Sequence, residues 1–203
     1  MVTILIPDRI DNADIEKEIF DSRFKIIVKN ASKESEISDV IWEKAEGILA
    51  WHDIHYDKNL ISKLKICKVI VRVGVGYDNV DLNAASKKGI IVCNVPDYGT
   101  DDVADHTWGL ILSLERGIIK FNSSVLNKGP WDWKLGEGLE RIQGKSIGII
   151  GLGRIGKAMA IRAKAFGMNV LFYDPYISQG IEKSLNLISP YSIFPILFLV
   201  PWS

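Results

Sequence analysis

Cysteine and histidine are scarce in this chain: Cys67 and Cys93 are the only thiols, and the histidines number three. Two cysteines in 203 residues cannot build a disulfide framework, so they read as buried thiols of a reducing compartment. Neither sign of charge is in excess, because Lys+Arg and Asp+Glu are 25 each. That balance excludes the basic footprint of a nucleic-acid binder. The first residues, Met1 to Pro7, carry no basic segment and no long apolar core, so no signal peptide is expected. Long apolar runs are missing as well. The run Ile193 to Trp202 is interrupted by Pro195 and Pro201, whereas a spanning helix needs ~20 unbroken apolar residues. No solenoid-type repeat is present, and no metal site is read. What remains is a globular composition, 47% hydrophobic and 25% charged, with length for one large domain or two small ones. A cytoplasmic location is expected.

Against that background one stretch stands out. Ile147 to Ile150 is a short apolar run of strand type, and Gly151, Gly153 and Gly156 follow it in G-x-G-x-x-G spacing. A helical pattern runs from Arg154 to Phe166 and stops at Gly167. A second apolar run, Val170 to Tyr173, ends at Asp174. Strand, glycine turn, helix, strand and acid form the dinucleotide-binding pattern. Gly151 permits the tight turn, Gly153 lets a pyrophosphate approach the backbone, and Gly156 lets the helix pack close to the strand. The helix N-terminus then faces the phosphates. Asp174 is placed to accept from the ribose hydroxyls and to repel a 2′-phosphate, which favours NAD over NADP. The competing reading is a packed βαβ unit whose glycines serve close packing only.

Upstream, strands and helices alternate. Strands are expected at Val2–Ile6 (ending at Pro7), Lys25–Val28, Gly47–Ala50, Val69–Val73 and Ile90–Cys93. Helices are expected at Asp14–Phe20, from a Ser38 cap through Trp42, at Asn59–Leu64, and from Asp81 to Gly89. Alternation of this kind implies a doubly wound parallel sheet with ligands outside the carboxyl ends of the strands. Near Pro96–Thr100 the pattern changes. Thr100 is read as an N-cap, with Asp101 and Asp102 at the positive end of a helix. That helix breaks near Gly117 and continues toward Leu126. The boundaries expected are 1–97 for a first domain and 98–203 for a second, the latter with an atypical apolar tail over 187–203.

Three segments carry a family resemblance: Val69 to Asp81 (VIVRVGVGYDNVD), Val92 to Thr107 (VCNVPDYGTDDVADHT), and Ile147 to Pro175. With them the chain resembles the D-isomer-specific 2-hydroxyacid dehydrogenases. The similarity is to the branch of C-terminal-binding proteins and phosphoglycerate dehydrogenase-like enzymes, and it extends to about Leu187. It implies an α/β fold: a flavodoxin-like substrate domain and a Rossmann NAD domain, the latter incomplete here. It implies hydride transfer between NAD and the CH–OH of a small 2-hydroxy acid. The loop Val73–Tyr77, with Val75 and Gly76, would hold the substrate carboxylate, and Arg72 would contact it. Successive N–H groups in a glycine turn make an anion nest, and Arg72 adds charge-assisted bonds. The competing reading of Arg72 is a solvated strand end. His52 matches a histidine on the substrate side. Thr107 matches a position near the nicotinamide, and Arg154 and Ile155 match positions at the pyrophosphate. Family dimers pack through the helix matching Asp101–Leu126 and the Trp131/Trp133 loop, so a homodimer is expected. Two tryptophans in a short loop fit burial against a partner subunit or against the chain's own core.

The same resemblance places the catalytic arginine, glutamate and histidine beyond the segment matching Leu187, so no catalytic residue is assigned in this chain. His106 sits beside Thr107 in the connecting helix, and His55 reads as a surface residue. Neither these two nor His52 has an evident carboxylate to orient it. Ser184 to Ser203 carry no charge, a break from the rest. The expectation is a truncated, aberrant end and an inactive fragment; the competing reading of this stretch is a buried third strand at Ile196–Val200. The Ile147 strand would then be an apolar edge. Two other readings stay open: an NAD-responsive corepressor-like binding module, and a nonfunctional gene remnant.

Overall fold

The computed structural model describes residues 1–127, 129, 131–178 and 180–188. They fall into two compact units, Met1–Tyr98 and the part from Gly99 onward. The first unit runs β1 (Val2–Asp8), α1 (Asp14–Ile19), β2 (Phe24–Ala31), α2 (Asp39–Lys44), β3 (Gly47–Ala50), α3 (Lys58–Lys63), β4 (Val69–Arg72), α4 (Leu82–Lys87) and β5 (Ile91–Asn94). Its five strands are parallel in the order β2-β1-β3-β4-β5. This is the flavodoxin-like order, whose topological switch point lies between β1 and β3.

The core of this sheet is a row of apolar side chains in register. Leu5 on β1 faces Ile48 on β3, which faces Ile70 on β4, and all three are buried. Trp42 of α2 and Tyr56 meet edge to face over them, centroids 6.3 Å apart. Burying each such aliphatic side chain stabilises the fold by about 1.5–3 kcal/mol. Asp57 and Asp81 cap α3 and α4 by accepting the N–H of Leu60 (2.8 Å) and of Ala84 (2.9 Å). Ser38 holds the N-cap position of α2 but makes no side-chain cap bond. Pro7 does not end β1. The strand continues to Asp8, and the register against β2 shifts between Ile6 and Asp8, so the imide without an N–H falls where the ladder is already interrupted.

The second unit runs α5 (Thr100–Glu115), α6 (Ile118–Leu126), β6 (Ser146–Ile150), α7 (Arg154–Ala165), β7 (Asn169–Tyr173) and α8 (Ile181–Leu185). Gly99, not Thr100, is the N-cap of α5, and Thr100 is its first helical residue. The helix breaks at Gly117 in left-handed conformation (φ 61°), where L side chains are strained. Strands β6 and β7 are parallel neighbours joined across α7. Ala158, Met159, Ala160 and Ala163 of α7 form the core with Trp108, Val170 and Phe172. Arg162 holds α7 to α5 through Asp101 (3.1 Å) and Asp105 (2.6 Å). Among the described residues β6 pairs with β7 alone, and Ile150 is 81% exposed. Beyond β7 the sequence pattern gave no warning of α8. A further parallel pairing begins at Ile188, which bridges Leu171, well before Ile196–Val200, a stretch outside the described residues. No helix among the described residues is long and apolar enough to cross a membrane.

Candidate functional site

In the second unit the turn from β6 into α7 gathers Gly151, Gly153, Arg154, Ile155 and Gly156, with Asp174 at the end of the neighbouring strand. The three glycines sit in three different environments. Gly151 has φ 88°, a left-handed backbone that disfavours any side chain. Gly156 faces the turn itself: a Cβ there would collide with the Gly151 carbonyl oxygen and lie 3.1 Å from its carbon. Gly153 is different. Its φ is −70°, and a Cβ would meet nothing within 4 Å. Neither conformation nor protein packing demands glycine there, and the space in front of it is open. It is also the N-cap of α7, a helix of 12 residues whose leading N–H groups lack intrahelical acceptors.

Asp174 points at this turn. Its Oδ2 accepts the N–H of Leu152 at 2.8 Å and its Oδ1 that of Tyr176 at 2.9 Å. The Gly151 N–H donates to the Tyr173 carbonyl at 2.8 Å. An ionised carboxylate has about four acceptor sites, so capacity remains for hydroxyl donors. Thr107 is half-buried on α5, and its hydroxyl donates to the Val103 carbonyl of the same helix at 2.7 Å. His106 beside it is exposed.

In the first unit, Arg72 ends β4 and His52 lies two residues past the end of β3. Ala50 and Arg72 are register partners, so both site residues emerge at the same end of the sheet. Arg72 is not a solvated strand end: it is 6% exposed. Its Nη1 donates to the Val73 carbonyl at 2.7 Å, and its buried Nε has no partner among the described residues. The guanidinium fills the space where a Gly74 side chain would be. Val75 and Gly76 follow in sequence and are exposed. His52 is exposed, as is His55.

Two further residues shape this end of the sheet. Asp8, at the end of β1, is 0% exposed. Its carboxylate accepts the N–H groups of Trp51 (3.0 Å), Asp53 (2.9 Å) and Ile54 (3.1 Å). Asn79 donates from Nδ2 to the carbonyls of Trp51 (3.1 Å) and Ile54 (3.0 Å). An acid ending an otherwise apolar strand at the ligand end of a parallel sheet was the available signal for Asp8. Burial drives the nearby Tyr56 phenol well above its ordinary pKa, and the charge on Asp8 adds to this. Desolvation likewise pushes the Cys67 thiol up to about 11. Trp131 and Trp133 are 78% and 68% exposed, so no core among the described residues buries them. Among the described residues no cluster of potential metal ligands occurs.

Comparison with known proteins agrees with this architecture. D-3-phosphoglycerate dehydrogenase of Methanocaldococcus jannaschii is 39% identical over 187 residues, covering 92% of this chain and 35% of that protein. C-terminal-binding protein 1 of Caenorhabditis elegans is 32% identical, covering 90% and 26%. Among solved structures, D-lactate dehydrogenase of Aquifex aeolicus, complexed with NAD and lactic acid, superposes with a TM-score of 0.76 at 27% identity over 92% of this chain and 55% of that one. The chain thus spans 26–35% of the length of these curated relatives. The model of the D-isomer-specific 2-hydroxyacid dehydrogenase catalytic domain matches residues 4–189, and the chain belongs to that family.

Proposed function

We propose that this chain supplies the NAD site and the first substrate-binding loops of an NAD-dependent oxidoreductase that interconverts a small 2-hydroxy acid and its 2-oxo acid. The observation that carries the reading is Gly153. It has an ordinary φ and no protein neighbour in front of it, so its bareness answers to something outside the chain, and a pyrophosphate on a helix N-terminus is that something. Bound NAD would provide the hydride acceptor or donor. Gly151, Gly153, Arg154, Ile155 and Gly156 would bind its pyrophosphate, Asp174 its adenosine ribose, and Thr107 would lie toward the nicotinamide. Residues 98–203 form the cofactor side in this reading and residues 1–97 the substrate side.

On the substrate side, Arg72 with Val75 and Gly76 would hold the carboxylate. The buried guanidinium, whose Nε has no partner among the described residues, supports this, because a buried charge left without a counter-charge is costly and an incoming carboxylate would compensate it. His52 would face the rest of the substrate. The protein is read as cytoplasmic and as a homodimer, with the exposed Trp131 and Trp133 in the subunit interface. Calorimetric titration tests the core of the reading: NAD is expected to bind, and NADP at least ten-fold more weakly because Asp174 repels its 2′-phosphate. Equal affinity for the two, or none for either, overturns it.

A further inference from the structure

The loop after β3 is held from both sides by residues that the proposed reaction leaves unassigned. From the β1 side, Asp8 accepts three N–H groups of this loop, those of Trp51, Asp53 and Ile54. From the β4 side, Asn79 takes the carbonyls of Trp51 and Ile54. Donors and acceptors of one short backbone segment are therefore consumed by two side chains from opposite directions. The β1 and β3 ends bound the switch point of the sheet, where ligands of this topology sit.

The clamp also reaches the second loop. Asn79 sits in the turn that Val80 N–H closes onto the Tyr77 carbonyl (3.0 Å), so the side chain holding the His52 loop lies three residues after Gly76, in the segment that presents Val75 and Gly76. A second stitch lies just beyond: Tyr56 N–H donates to the Asn79 carbonyl (2.7 Å) and Asp81 N–H to the Tyr56 carbonyl (2.9 Å). Asp8 is wholly buried and Asn79 nearly so (8% exposed). Neither is placed to touch a ligand, and the loops they join are the ones assigned to one.

We propose that Asp8 and Asn79 are positioning residues that lock the His52 loop and the Val73–Tyr77 loop into one preorganised substrate cradle. This rests on the substrate reading above. A site held rigid before binding loses less conformational freedom on binding, so removing the clamp should weaken substrate binding more than it weakens the fold. Asp8→Asn replaces an acceptor of three N–H groups by a side chain with one acceptor oxygen and an NH2 that opposes them. Asn79→Ala removes both carbonyl contacts.

The test uses the 203-residue chain labelled with 15N, with oxamate as an unreactive 2-oxo acid probe. In the free protein, Asp8→Asn is expected to shift the amide signals of Val75 and Gly76 as well as those of residues 51 to 54. Changes confined to 51 to 54 overturn the coupling. With oxamate, both variants are expected to lose about ten-fold in affinity, a 1.4 kcal/mol effect, while NAD binding stays unchanged. The core variant Ile48→Val, of similar melting temperature, should keep wild-type oxamate affinity. If wild type binds oxamate and the folded variants bind it equally well, the inference fails alone. If wild type ignores oxamate, the substrate reading falls and takes the inference with it. Loss of the folded spectrum in both variants also overturns it, since the pair would then be holding the fold and not the loops.

Discussion

Alanine placed in turn at Gly151, Gly153 and Gly156 should give three different results, because the three sites differ in what alanine meets. At Gly156 the helix itself gains: Ala is favoured over Gly in a helix interior by roughly 1 kcal/mol. The new methyl, however, overlaps the Gly151 carbonyl oxygen and also stands 3.3 Å from Ile149 Cγ2. The obstacle is backbone, which cannot swing aside, so α7 must shift from β6. Overpacking of this kind costs about 1–3 kcal/mol or more, which exceeds the helix gain. At Gly151 the φ of 88° leaves alanine in left-handed conformation, at about 1–2 kcal/mol. At Gly153 the backbone is extended (φ −70°, ψ −155°) and the space is open. Losing glycine at an N-cap costs up to about 1 kcal/mol, and the smaller entropy of the unfolded chain returns about 0.4–1 kcal/mol. Those nearly cancel. For a unit of roughly 100 residues each kcal/mol moves the melting temperature by ~4–8 °C. Scanning calorimetry should therefore show Gly156→Ala and Gly151→Ala melting several degrees early and Gly153→Ala close to wild type. Fluorescence titration with NADH should show all three bind at least ten-fold more weakly. A stable Gly153→Ala chain with wild-type NADH affinity would refute the argument, because that glycine would then serve neither fold nor ligand.

Asp174→Ala should lower the melting temperature, since the wholly buried Leu152 loses the acceptor of its N–H and an unsatisfied buried donor costs ~1–3 kcal/mol. Asp174→Asn should in addition narrow the preference for NAD over NADP in paired titrations. Arg72→Met should remove measurable oxamate binding while leaving NADH binding intact, since the two sites lie in different units. A chromogenic disulfide reagent at pH 8 should titrate one thiol in the native chain and two after denaturation. Cys93 is exposed, whereas Cys67 is buried with its pKa raised to about 11, leaving little reactive thiolate. Trp131→Glu should shift the sedimentation of the protein toward the monomer. An unchanged sedimentation coefficient at micromolar concentration would remove that tryptophan from the proposed interface.

The fold was legible where local chemistry and long-range packing ask for the same thing. The apolar runs at Ile48 and Ile70 are strands because both faces of a parallel sheet are buried, and Asp57 and Asp81 mark helix starts by capping them. Misreadings came where two signals compete. Thr100 looks like a cap from its side chain, yet Gly99 takes the position, its carbonyl accepting the Val103 N–H at 3.0 Å, and no side-chain cap bond forms. Pro7 looks like a stop, yet β1 tolerates it at a register shift. The short α8 was invisible because its five residues are too few for a helical period to repeat.

The candidate site divides along the same line. Gly151 and Gly156 could be read from spacing because their demand is local: a left-handed turn, then a helix whose third residue faces the Gly151 carbonyl. Asp8 and Asn79 could not, because a side chain that serves backbone groups 43 to 46 residues away, or 25 to 28, leaves no periodic trace. What the sequence does show of Asp8 is an anomaly: a carboxylate directly after an apolar strand, where burial of an unpaired charge would be prohibitive. The structure resolves it by aiming three N–H donors at that charge, and those donors come from one of the two loops that the proposed substrate would meet. A buried acid at the carboxyl end of a parallel strand, beside the switch point, is thus a signal for a loop that has to hold still. It separates such a loop from a surface connection more sharply than the exposed His52 does, since exposure alone is equally compatible with no role at all.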